Sequence, residues 1–224
     1  MRAQAVYDRL VQVARLRVQL AVRRAWRSLD AHRDADIDRF VSLAVPLVLA
    51  GERTIAQLTH AYLEQAGATP TSLVTSAVTG TATRGVDPVE VYRRPGVTVW
   101  TALSRGATYM DAVNQGLTRA TTLALTDLQL ARTKTVQQVG VTRFKRTLSG
   151  LENCELCSLA SQNTYYRGDL MPIHAGCDCG IAPVTFLSPT EALPEGLAVH
   201  EHGELGPVLT REGDHFTGPD DVDW

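Results

Sequence analysis

The sequence predicts an α+β chain that is predominantly helical. It divides into an N-terminal helical bundle, a small metal-stapled module containing β-structure, and an acidic, weakly structured tail. Three observations carry this reading. Apolar residues recur at helical spacing through most of residues 1–139. The period then shortens to two around residues 141–148. All four cysteines, Cys154, Cys157, Cys177 and Cys179, fall within one short stretch after that change. The expected boundaries are therefore 1–139, 140–187 and 188–224.

In the first helix the large apolar residues are Val6, Leu10, Val13, Leu16 and Leu20, followed by Trp26 and Leu29. Arginines fill much of the remainder, and the reading is an amphipathic helix with a basic polar face. Arg15, Arg23, Arg24 and Arg27 are candidate contacts for DNA or an acidic partner. Asp34 or Asp36 can cap a second helix, which Pro46 is expected to kink or split and Gly67 to end. Its stretch from Phe40 to Ala50 is apolar on nearly every side and is assigned to the core. Residues 67–98 are rich in Gly, Pro and Thr, with short helices expected near Thr71–Thr79 and Pro88–Tyr92. Asp87-Pro88 reads as a cap followed by a first-turn proline. Helices resume at Val97–Arg105 and Tyr109–Val139.

The segment VTRFKRTLSG alternates and reads as a strand; Arg143, Lys145 and Arg146 add further candidate polyanion contacts. Tyr165-Tyr166-Arg167 and Cys179–Val184 are candidates for further strands. Beyond Leu187 the chain is acidic: residues 186–224 hold nine Asp and Glu against Arg211, whereas residues 1–33 hold eight Arg against Asp8 and Asp30. The two ends are thus expected to meet different surroundings. The net charge of −2 argues against a bulk polyanion binder. The first ten residues lack the apolar region of a signal peptide, and no run of 18 apolar residues occurs, so synthesis in the cytosol without a membrane anchor is expected.

In that compartment clustered cysteines are more often metal ligands than disulfides. The pattern is C-x2-C, sixteen residues, then H-x2-C-x-C, the histidine being His174. Two short knuckles separated by a loop suit a tetrahedral ion such as Zn2+, which prefers thiolate and imidazole. Cys154, Cys157, His174, Cys177 and Cys179 offer five ligands for four places. Four thiolates with His174 outside the shell, or three thiolates with His174, both satisfy the count. Four or five ligands favour a closed structural site over a catalytic one, which keeps a place for water. The sequence contains no H-E-x-x-H, G-x-S-x-G or Walker A pattern, and no catalytic residue is assigned.

Taken together, R-F-x-R-x-L-S-G, the C-x2-C pair and Y-x-R-G-D-L-M-P-I-H-x-G-C-D-C-G resemble the Mu F-like minor head proteins of tailed bacteriophages, closest to the versions encoded by actinobacteriophages. The resemblance covers about residues 140–185 by motif and the remainder by layout. It implies a head-morphogenesis protein that enters the procapsid in the host cytoplasm, remains inside the virion, and associates with portal, major capsid or scaffold protein and with packaged DNA. Relatives of this type are often labelled capsid maturation proteases, which makes proteolysis of scaffold or major capsid protein the first alternative. A zinc-ribbon-like DNA-binding protein is the second.

Overall fold

The structure, a computed structural model, describes residues 2–68, 71–138, 143–148, 154–167, 177, 179–184, 197–202 and 206–211. The fold is mostly helical, with a small three-stranded sheet and a cysteine cluster near the C-terminus. Helices α1 (Arg2–Arg27), α2 (Asp34–Gln65), α4 (Pro88–Ser104) and α5 (Tyr109–Gln138) form the body. α5 packs against each of the other three, and α2 also packs against α1 and α4. A 3-10 turn at Thr75–Ala77 and the one-turn α3 (Thr81–Arg84) lie between α2 and α4.

Strands β1 (Arg143–Thr147), β2 (Thr164–Tyr166) and β3 (Gly180–Pro183) form an antiparallel sheet in the order β2-β1-β3, with α6 (Glu155–Ala160) between β1 and β2 in sequence. Phe144 pairs with Tyr165 on one side and Pro183 on the other. The alternation read from sequence is present, since Phe144 and Arg146 turn inward while Lys145 is exposed. In the acidic region, β4 (Leu197–His202) and β5 (Gly206–Arg211) pair as an antiparallel hairpin.

The predicted orientation of α1 is overturned. The buried stripe is Tyr7, Val11, Ala14, Val18, Val22 and Ala25. Val6, Leu10, Val13, Leu16 and Leu20, read as the core-facing set, are 39–58% exposed. Close packing selects the smaller side chains. A β-carbon on Gly51 of α2 would lie 2.5 Å from Val18 Cγ2 and 2.9 Å from Leu128 Cδ2, so α1, α2 and α5 converge where side chains are smallest.

Two further expectations fail for a common reason. α2 runs unbroken through Pro46, and the two short helices expected around residues 88–105 are one helix that passes through Pro95. A proline in a helix removes one backbone hydrogen bond and crowds the preceding turn. Here both helices are held from outside. Phe40, Ala44 and Val48 flank Pro46 on the buried face of α2. Gly96 lets α4 approach Ile37 so closely that a β-carbon would meet its Cγ1 at 2.7 Å. Other signals hold. The Asp87 carboxylate caps α4 by accepting from Val89 N at 2.8 Å, and Gly67 follows the end of α2 with φ +82°.

By length and composition α2 suffices to cross a membrane. In this fold its apolar face is taken up by the bundle, with Phe40, Ile55 and Leu63 fully buried. At the far end of the core Trp26 lies edge-on to Phe40 at 5.0 Å and donates from Nε1 to Val113 O. A β-carbon on Gly116 would meet the Trp26 ring at 2.5 Å and Val99 Cγ2 at 2.6 Å.

One polar network lies inside the body. Asp127 accepts from Arg84 Nε and from the Tyr92 hydroxyl, while Glu52 accepts from Gly80 N and the Thr83 hydroxyl. This fixes α3 onto α2 and α5. Burial, and secondarily the charge of Asp127, push the Glu52 carboxyl up to about 8.

Gly116→Ala is expected to cost about 1–3 kcal/mol by overpacking against Trp26, measured as a lower midpoint in denaturant unfolding. Glu52 supplies a pH dependence. Its folded value of about 8 lies above the ordinary 4.5, so its contribution is complete below about 4.5 and is lost as pH rises toward 8, at up to about 1.4 kcal/mol per pH unit. Glu52→Gln, which keeps the hydrogen-bonding shape, is expected to flatten that slope and raise the unfolding temperature at pH 8 relative to the native chain.

Candidate metal centre

The C-x2-C pair is built as the start of α6. Cys154 is the N-cap, with extended backbone, and its sulfur accepts from Cys157 N at 3.3 Å. Cys157 sits on the first turn and points inward. Cys177 precedes β3, and Cys179 sits immediately before its first residue, Gly180. Cys157, Cys177 and Cys179 are 2%, 2% and 0% exposed, whereas Cys154 is exposed.

The three buried sulfurs all lie within 4.8 Å of one another. Cys157 Sγ is 3.4 Å from Cys177 Sγ, and Cys177 Sγ is 3.2 Å from Cys179 Sγ. These are not disulfides; all four cysteines are free. A tetrahedral thiolate shell with metal–sulfur bonds of about 2.3 Å places its sulfurs about 3.8 Å apart. The separations are near that value, and the donor set is suited to a thiophilic ion. Three cysteines, with Cys154 close by in the same knuckle, therefore form a candidate metal centre.

The surroundings treat these thiols as a partly charged group. Arg146 Nη1 donates to Cys179 Sγ at 3.3 Å, and its guanidinium lies 5.7 Å from the Tyr165 ring centroid. Arg132, from α5, is 3% exposed and donates from Nη2 to the Cys179 carbonyl. Its sulfur contacts, first with Cys157 and then with Cys179, pull Cys177 well below an ordinary thiol. The same contact raises Cys157 above an ordinary thiol. Tyr165 donates from its hydroxyl to Ala160 O, closing α6 over the site, and Leu156 and Leu159 pack against the cluster.

The expected site residues divide sharply. Cys157, Cys177 and Cys179 are brought together; Cys154 is at the rim; His174 lies outside the described residues. Among the expected polyanion contacts, Arg23, Arg24, Arg27 and Lys145 are exposed. Arg143 is half-buried, stacked 4.7 Å from the Tyr166 ring centroid and donating to its hydroxyl. Arg15 and Arg146 are corrections. They are 5% and 3% exposed, Arg15 reaches Leu125 O, and Arg146 faces the thiols, so neither presents charge to a partner.

Sequence reading missed Arg132 and Tyr165. Arg132 falls on the helical stripe containing Leu117, Ala120, Ala124, Leu128 and Val136, and a lone arginine within an apolar stripe was the available signal. No protein-family model matches the chain, and neither a curated protein nor a solved structure matches it.

Replacing Arg132 with Met keeps much of the stem's packing but leaves the Cys179 carbonyl without its donor and the thiols with one buried cation, Arg146, in place of two. The expected cost is about 3 kcal/mol. Alkylation of Cys177 and Cys179 should quicken while the helical circular dichroism is retained.

Proposed function

We propose that this chain is a non-enzymatic minor head component of a tailed bacteriophage, with its C-terminal module stapled by a structural Zn2+. The observation that carries the reading is the gathering of Cys157, Cys177 and Cys179 into one buried cluster, within the segment whose motifs resemble the phage family. Among the described residues, α6, Tyr165 and Arg146 cover the three buried thiols. That favours a staple over a Lewis acid, which needs a coordination place for water.

The residues fit zinc by donor type and separation. Cys157, Cys177 and Cys179 would hold it, with Cys154 completing a four-thiolate shell and His174 the competing fourth ligand. When bound, the ion supplies binding energy that is also folding energy for a small module. The protein's own part is to hold the two knuckles at the ends of α6 and β3, and to set two guanidiniums against the thiolate charge. The helical body is assigned to contact with portal, major capsid or scaffold protein during assembly in the host cytoplasm, with the mature location inside the virion. Burial of three of the four cysteines disfavours the maturation-protease alternative, because a nucleophile must be reached by its substrate.

Protein purified under reducing conditions is expected to carry about one equivalent of zinc by elemental analysis. Cys177→Ser should lose most of it and lower the thermal stability of the module, leaving the bundle helical. Mass spectrometry of purified heads should find the chain in few copies. Processing of unprocessed capsid or scaffold protein on incubation with this chain would instead establish the protease.

A further inference from the structure

The outward face of α1 is not an ordinary solvated surface. One row of its exposed residues alternates steps of three and four: Ala3, Val6, Leu10, Val13, Arg17, Leu20 and Arg24. That is the a/d spacing of a heptad repeat, on a face roughly a third of a turn round the helix from the stripe buried in the bundle. Along one flank run Arg9, Leu16 and Arg23, all exposed. Val6, Leu10, Leu16 and Leu20 are 58%, 45%, 53% and 43% exposed, far above the nearly dry inner stripe.

The only acidic residue in α1 is Asp8. It is half-buried and turned away from the seam. It accepts from Gln4, and a β-carbon on Gly180 would lie 2.8 Å from its Oδ1, so it faces β3. The seam is therefore apolar and purely cationic over about 30 Å of helix.

We propose that this face is the docking site for an amphipathic helix of another protein, with apolar residues at its own seam and carboxylates opposite Arg9, Arg17, Arg23 and Arg24. Charge complementarity selects that occupant. A nucleic-acid backbone would engage the arginines but leave the leucines in water. A second copy of α1 would set Arg17 and Arg24 against their equivalents. An anionic membrane suits segregated apolar and basic faces, whereas here cations interrupt the seam itself. A partner helix satisfies both components, because each seam arginine can meet a carboxylate while Leu10, Val13 and Leu20 are covered. The inference concerns the chemistry of one helix face and goes beyond the phage reading; it stands whether or not the metal centre is zinc.

The test uses the full chain and a synthetic acidic helix about four heptads long, with Leu at its seam and Glu on its flanks. A scrambled peptide of the same composition, duplex DNA and anionic phospholipid vesicles serve as competing probes. Fluorescence anisotropy is expected to show saturable binding of the heptad peptide, at least about tenfold tighter than the scrambled one. Leu10→Gln with Leu20→Gln, and separately Arg17→Glu with Arg24→Glu, should each weaken it about tenfold or more. All four positions are solvent-facing, so circular dichroism should be unchanged in both variants. Equal affinity for the scrambled peptide, indifference to the leucine substitutions, or tighter binding to duplex DNA or vesicles overturns the proposal. So does a dimer in sedimentation that Leu10→Gln with Leu20→Gln dissolves.

Discussion

A guanidinium cannot be stripped of water without something taking water's place. Arg132 meets that constraint at the junction between the helical body and the β-module. It belongs to α5, yet its donor is spent on the Cys179 carbonyl, one residue before β3 begins. Arg146 repeats the arrangement from within the sheet, donating to the Cys179 sulfur. Both cations are sealed from solvent, and both face the same thiols. Cluster and cations therefore presuppose each other: the thiols supply negative character where water is excluded, and the guanidiniums let that character develop. Nearby contacts keep the same geometry. Tyr7 stacks on Tyr62 at 4.3 Å and shares a hydrogen bond with Thr59. Gly180 fits where any larger residue would collide with Thr147 and Asp8.

The sequence was a good guide to what repeats and a poor guide to what is spent elsewhere. α5 was legible almost end to end because no proline interrupts its 30 residues and apolar residues recur through its middle. The division of β1 into two alternating faces followed from the sequence, but the burial of Arg146 on the inner one did not. The cysteine knuckles were legible because few other functions require that spacing. The faces of α1 were not. Both of its sides are apolar, and residue size suggested burying the leucines, whereas the close approach at Gly51 admits Val18 instead. Proline and glycine in α4 were read as local breakers, but their cost is met by packing against Ile37, a residue 59 positions earlier. Glu52, in a Gly-Glu-Arg-Thr stretch that reads as surface, is 2% exposed because α3 folds back over it. Local pattern carries no record of that distant contact.

The two faces of α1 divide its labour. The inner one is small, dry and committed to α2 and α5, while the outer one is large-residued and cationic. A helix so anchored pays little further conformational entropy on meeting a partner, because its backbone is already ordered. The thiol cluster and the outer seam lie on different elements, so loss of one need not abolish the other.

α5 has a mechanical consequence. It is a single rod of 30 residues, about 45 Å long, gripped by Trp26 and Gly116 toward one end and by Arg132 and the cysteine module toward the other. At the opposite pole of the bundle the Tyr109 hydroxyl meets His32 Nδ1 at 2.9 Å, so α5 ties the cysteine module at one end to the turn joining α1 to α2 at the other.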